Sequence, residues 1–271
     1  MKLLILLLAL APTTPKDGKT VIVKTYPIDQ AELSTIIIDN INGDVVVERS
    51  ADALVHLYVE IIFEADNDKM LSKARQELQL GVYKSNDSLR FYTKAPFIKR
   101  CQWGYDMRHQ PPYDFKYQYK VKVPANVNLE AKTVNNGDVF VQDIDGPVKA
   151  CNVNGAVEVK NARIIRQAST VNGDVTINFL ESPEEAIAFN TVNGDFKFEL
   201  PEDFSAQIFF NSMNGDLYSS FDYQTMSPRV TKSEKNGTYK IGTKTGIEIG
   251  NDGPELSFRS INGNVYLKKS E

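Results

Sequence analysis

Histidine, cysteine and tryptophan are scarce in this chain of 271 residues, which holds two His, two Cys and one Trp. The scarcity narrows the chemistry. Only His56 and His109 offer an imidazole, no Gly-x-Ser-x-Gly occurs, and no His or Cys cluster has zinc-ligand spacing. Catalysis has little support, and no cofactor or metal is expected. Cys101 and Cys151 could be joined in an oxidising compartment, but with so few thiols the plainer reading is two separate ones. An excess of basic residues is also lacking. With 31 Lys and Arg against 35 Asp and Glu, the net charge is −4, so no field gathers nucleic acid. A long apolar run is missing too. Leu3 to Leu10 is too short to span a bilayer, and no later stretch is apolar enough.

That short run has another use. Lys2 supplies a positive start, and Ala9-Leu10-Ala11 resembles a cleavage site, so residues 1–11 are expected to be a signal peptide. No Cys follows to carry a lipid. The expected destination is the periplasm, the outer-membrane surface or the extracellular space.

What the chain has in abundance is one phrase, clearest at Thr170-Val171-Asn172-Gly173-Asp174-Val175. It recurs around Asn42-Gly43, Asn154-Gly155, Asn193-Gly194, Asn214-Gly215 and Asn262-Gly263, and a seventh copy at Gly137 carries one extra residue. From Gly137 to Gly215 the steps are 18, 18, 21 and 21 residues, the mark of a structural repeat. Aligned on the glycine, the residue two places on is Val45, Val139, Val157, Val175, Phe196, Leu217 and Val265, apolar every time. Four places on stand Val47, Val141, Val159, Ile177, Phe198, Ser219 and Leu267, where only Ser219 is polar. Each copy therefore reads as strand, glycine-permitted corner, strand, with one buried face.

Two organisations fit. Asn-Gly is the favoured dipeptide of a tight hairpin, which would give antiparallel meanders. A coil would instead stack like strands in parallel, about 4.8 Å apart. The aligned columns favour the coil, because only stacking requires the same side-chain class at the same offset. The expected fold is all-β: a β-solenoid of 18- to 21-residue coils with one short helix. In the coil, Asn40, Asn152, Thr170, Thr191, Ser212 and Ser260 would line a polar ladder beside the corners.

The remaining segments are read by period. Residues 12–33 are a leader, flexible over 12–19, and a first strand. Residues 34–126 are a β-rich part with the helix, capped by Asn67 or Asp68, carrying Leu71, Ala74 and Leu78 on one stripe and ended by Gly81. Phe115, Tyr117, Tyr119, Val121 and Val123 alternate with Lys116, Gln118, Lys120 and Lys122 as a half-buried strand. Residues 127–271 are the repeat proper, interrupted by an insertion at 222–258, with the copy ending at Leu267 as the terminal coil. An open stack would recruit strands, so the insertion or the charged tail is expected to cover its edge.

The repeated Thr-Val-Asn-Gly-Asp phrase resembles the bacterial putative-adhesin domains of unknown function. So do the preceding strands with one short helix and the Tyr117-Gln118-Tyr119-Lys120-Val121-Lys122-Val123-Pro124 entry. The resemblance covers about residues 34–268 and implies an exported solenoid-like domain of the envelope or surface. It supplies no ligand and no catalytic residue.

Two places could carry binding. The corner acids Asp44, Asp138, Asp174, Asp195 and Asp216 would form a carboxylate column that Ca²⁺ relieves, but Ala156 and Asn264 break it. Asn and Asp also suit corners simply by bonding nearby backbone. The second place is an aperiodic loop at 95–113, where Trp103, Tyr105, Arg108 and Tyr113 could stack on or pair with an envelope glycan. The plainer alternative is that its aromatics fold the loop onto the solenoid. The leading expectation is a non-enzymatic, adhesin-like envelope or surface protein that acts as a binding or structural module, with an envelope glycan or another surface protein as its candidate partner. The alternative is a polysaccharide-degrading enzyme on a solenoid scaffold.

Overall fold

The computed structural model of the protein describes residues 16–27, 35–101, 104–107, 109–235 and 238–270. Two large sheets carry most of the chain. The signal-peptide expectation falls on residues outside those described.

Each repeat contributes one strand to each sheet, with the Asn-Gly corner between. The first sheet has ten strands, in spatial order Lys16–Pro27, Leu54–Ala65, Asp114–Val123, Val45–Arg49, Val139–Gln142, Val157–Ala162, Val175–Phe179, Phe196–Leu200, Val265–Lys269 and Leu217–Ser219. From Asp114–Val123 onward every pairing is parallel. The column read from the sequence is the register itself: Val45 faces Val139, Val139 faces Val157, Val157 faces Val175, and Val175 faces Phe196. Five of these seven column residues are valine, which suits a close-stacked strand, and six of the seven are fully buried.

The second sheet has eleven strands. Its repeated part, from Thr35–Asp39 through Asn128–Lys132, Pro147–Cys151, Ile164–Ser169 and Ile187–Asn190 to Glu255–Arg259 and Ala206–Asn211, is again parallel. The inner faces of the two sheets meet in one core. Phe189 and Phe258 stack at 5.2 Å, and Phe189 meets Phe198 of the other sheet edge-on at 4.7 Å.

The coil order in space departs from the order in sequence. The copy at Asn262-Gly263 is not terminal. Its strands lie between those of the Asn193-Gly194 coil and those of the Asn214-Gly215 coil, which is the outermost. Side-chain chemistry explains the exchange. Val265 and Leu267 are fully apolar and need neighbours on both sides, whereas the copy that carries Ser219 loses least at an end. The chain leaves the outer coil at 222–258, adds Ile247–Ile249 and Gln224–Thr225 antiparallel onto the end of the second sheet, and returns inside. The insertion thus covers that sheet's edge, and part of it forms a separate hairpin of Arg229–Lys235 with Thr238–Lys244.

At the other end the coil gives way to antiparallel strands. Lys16–Pro27 pairs along its whole length with Leu54–Ala65, so residues 16–19 are strand rather than leader. The helix runs Asp68–Glu77, capped by the Asn67 side chain accepting from the Met70 N–H at 3.0 Å. It ends at Leu78, not at Gly81, because Gln79–Lys84 pairs at once with Ser88–Lys94. Gly81 lies inside that strand, where a Cβ would collide with the Tyr92 ring.

Candidate functional site

The corners come first, because they hold the densest polar chemistry. Gly43, Gly155, Gly173, Gly194 and Gly263 take positive φ, from +105° to +158°. A Cβ on Gly194 would run into the carbonyl of Gly173 in the adjacent coil. Glycine is therefore set by coil contact as well as by turn geometry. In the copy with the extra residue, Asn136 takes the left-handed conformation instead, at φ +56°.

Three side-chain ladders run across these corners. Asn154 donates to Asn135, Asn172 to Asn154, Asn193 to Asn172, Asn262 to Asn193 and Asn214 to Asn262, all at 2.7 to 2.8 Å. The acids serve the backbone of the next coil. Asp44 accepts the Asp138 N–H, Asp138 that of Ala156, Asp174 that of Asp195, and Asp195 that of Asn264. Asn264 continues the line by accepting from the Asp216 N–H at 2.9 Å. Ala156 has no acceptor to offer at its step. In the third ladder the buried Asn40, Thr133, Asn152 and Thr170 donate to glycine carbonyls, as at Thr170 to Gly155, 2.8 Å.

Corner carboxylates that hold backbone N–H groups have oxygens already in use. Burial pushes Asp174 up, but Lys197 at 2.6 Å and the Asp195 N–H outweigh it and hold the carboxyl below its ordinary value. Among the described residues no group of three or more His, Cys, Asp or Glu is placed to hold a metal ion.

The interrupting loop is more ordered than its aperiodic sequence suggests. Ile98–Cys101 and Gly104–Met107 pair as a short antiparallel hairpin. Phe97 is buried beneath it against Phe115 at 5.7 Å and Tyr113 at 6.1 Å. Of the four predicted binding residues, Trp103 and Arg108 lie outside those described, and Tyr105 is placed on the hairpin opposite Arg100. Tyr113 is buried, so its ring is core rather than surface. Its hydroxyl donates to Glu77 at 2.6 Å, and burial together with that carboxylate raises it well above the ordinary tyrosine range.

Beside the loop lies an open groove of about 600 Å³, between the first corner and the strand Asp114–Val123. Asn42, Asn136, Lys116 and Gln118 give it polar walls, and Met107 and Pro111 border it from the loop side. The sequence reading placed Lys116 and Gln118 on a polar strand face but did not join them to the loop. The signal was the extra residue Asn136, which lines the groove beside Asn42.

One hydroxyl–imidazole–carboxylate line exists elsewhere. Thr25 Oγ1 lies 3.4 Å from His56 Nδ1, and His56 Nε2 lies 2.9 Å from Asp52. The first distance is long, and Asp52 and Thr25 are exposed, so the line is a surface imidazole–carboxylate hydrogen bond with a neighbouring hydroxyl. Cys151 is a free thiol whose Sγ accepts from Ser169 at 3.5 Å.

A stack of parallel coils closed at one end by antiparallel strands and a helix defines the class. The chain belongs to the Toastrack DUF4097 family, whose model matches residues 24–246. Solved structures with a similar outline include a "putative cell adhesion protein" from Clostridium sporogenes, 10% identical, covering 95% of this chain and all of that one, with a TM-score of 0.43. A "putative adhesin" from Bacteroides fragilis is 12% identical over 92% of this chain and 98% of that one, with a TM-score of 0.41. No curated protein matches the chain. Among the described residues no helix is long and apolar enough to cross a membrane.

Proposed function

We propose that the protein is an exported, non-enzymatic module of the cell envelope, built as a stiff scaffold that presents the 95–113 loop and the groove beside it to an envelope glycan or another surface protein. The observation that carries this reading is the consumption of the corner polar groups in coil-to-coil bonds. Repeats occupied in this way serve architecture, and binding is then the work of segments that interrupt them. The groove supports the reading through its composition. Amide, ammonium and carboxylate side chains, Glu64 and Asp114 among them, line one open channel beside Met107 and Pro111, and such polar groups can bond sugar hydroxyls.

The export proposal rests on Lys2, the Leu3 to Leu10 run and Ala9-Leu10-Ala11. The test is a glycan array followed by analysis of the bound sugars. Binding that leaves the sugar intact supports a binding module, whereas released fragments would overturn it in favour of a carbohydrate-active enzyme. Within the same assay, Trp103→Ala and Lys116→Ala should weaken binding without lowering the melting temperature. Unchanged binding in both variants would remove the loop and groove from the reading.

A further inference from the structure

The two large sheets have four outer edges, and they are not alike. Three are short: Leu217–Ser219, Gln224–Thr225 and Gln79–Lys84 have three, two and six residues. The fourth, Lys16–Pro27, has twelve, and among the described residues all twelve pair on one side only, with Leu54–Ala65. Proteins commonly blunt such edges by keeping them short, twisting them or planting unpaired lysines on them. This edge is long and carries no register shift.

Its lysines are mostly engaged within the chain. Lys16 donates to Asp68 at the helix start at 2.6 Å, and Lys19 pairs with Glu60 on the neighbouring strand. Neither ammonium is spent on guarding the edge. Pro27 stands at the last position, where a missing N–H interrupts no ladder. Between them lies Val21-Ile22-Val23, the part of the strand with the highest β propensity. On the outer face Val23 is 71% exposed and Val21 45%.

We propose that this edge pairs antiparallel with the same strand of a second copy, joining two ten-stranded sheets across a two-fold axis normal to them. Such an axis keeps the outer faces on one side, so the Val21 and Val23 pairs of the two copies meet. The charges permit it. In the registers centred on Val21, Ile22 or Val23, no two lysines stand opposite each other. In the register centred on Ile22, Lys19 faces Thr25, Lys24 faces Thr20, and Val21 faces Val23. A strand of this composition is thus complementary to itself, which a heterologous partner would have to match by separate means. The inference is independent of any ligand at the loop or groove.

A single strand pair buries less than the ~1,200 Å² of a tight interface, so dissociation belongs in the micromolar range. The experiment is sedimentation velocity on the purified protein from about 1 to about 500 µM, with hydrogen exchange read at both ends of the series. A species of twice the protomer mass should grow with concentration, and Lys16–Pro27 amides should exchange more slowly where it dominates. The variant V21K/V23K places lysine opposite lysine in each of the three registers, and should raise the dissociation constant at least about tenfold with the melting temperature unchanged. If that variant folds poorly, hydrogen exchange on the native protein decides alone. A monomer throughout, a dimer that V21K/V23K leaves intact while folded, or Lys16–Pro27 exchange that ignores concentration would each overturn the proposal. The last result would mean that the edge is covered by the protein's own chain or by nothing.

Discussion

Replacing Gly194 by alanine separates the two ways in which a corner can stabilise the stack. Gly194 has φ +150° and hands its carbonyl face to the coil at Gly263, while its own Cα faces the Gly173 carbonyl. A methyl group there meets two penalties. The backbone conformation is nearly exclusive to glycine, which costs about 1 to 3 kcal/mol. The Cβ also collides with backbone rather than with a yielding side chain, and the coils must part, at about 1 to 3 kcal/mol more. The sum, roughly 2 to 6 kcal/mol, is a large fraction of the 5 to 15 that hold a domain together.

The companion substitution Asn193→Ala keeps the backbone and removes two amide bonds, to Asn172 at 2.8 Å and from Asn262 at 2.7 Å. Those groups are exposed, so water replaces much of what is lost and about 1 to 2 kcal/mol is expected. Chemical denaturation of the native protein and both variants gives the comparison. Gly194→Ala should cost more than Asn193→Ala, with an unchanged slope if unfolding stays cooperative. A Gly194→Ala variant within about 0.5 kcal/mol of the native protein would refute the corner geometry. A larger loss in Asn193→Ala would shift the weight to the side-chain ladder.

Three further outcomes follow from the same contacts. Ala156→Asn should stabilise by about 0.5 to 1.5 kcal/mol, because it supplies the missing acceptor at one step of the Asp ladder as Asn264 already does at another; thermal unfolding reads the gain. Phe258→Ala removes a ring packed on Phe189, Phe196 and Phe198 and should cost about 3 to 5 kcal/mol by denaturant titration, while a loss below about 1 would place that strand outside the stack. Asp174 has a folded pKa below its unfolded value, so its pairing with Lys197 stabilises above about pH 4 and fades as pH falls through the folded value. Asp174→Asn, which keeps the oxygen for Asp195, should therefore differ from the native protein by no more than about 1 kcal/mol at neutral pH and converge with it in acid; a gap that widens in acid would contradict the assignment.

The coil was legible because stacking imposes a rule that a reader can check. Val45, Val139, Val157 and Val175 share an offset from their glycines, and the register pairs them in turn. The ladder beside the corner was legible for the same reason, through Asn40, Asn152, Thr170 and their counterparts. Coil order was not, since sequence order is the natural default and only a contact across the 222–258 insertion reverses it. Ser219, the one polar residue in its column, was the trace of the outermost coil. At the loop, composition left Tyr113 open between a binding residue and one that folds the loop onto the solenoid, whereas its place just before an alternating strand, in phase with Phe115, turns it inward. The groove joins Lys116 and Gln118 to Asn42 and Asn136, residues far apart in sequence that no local period connects.

The most direct test of the account is the neighbour of Asn193. In the stack its corner lies beside Asn262 and not beside Asn214, although Asn214 is nearer in sequence. Adjacent parallel strands place Cα atoms about 4.8 Å apart, within the range that a disulfide spans, whereas corners two strands apart are beyond it. With Cys101 and Cys151 replaced by serine, Asn193→Cys with Asn262→Cys should form an intramolecular disulfide under mild oxidation, and Asn193→Cys with Asn214→Cys should not. The opposite pattern would contradict the intercalated coil.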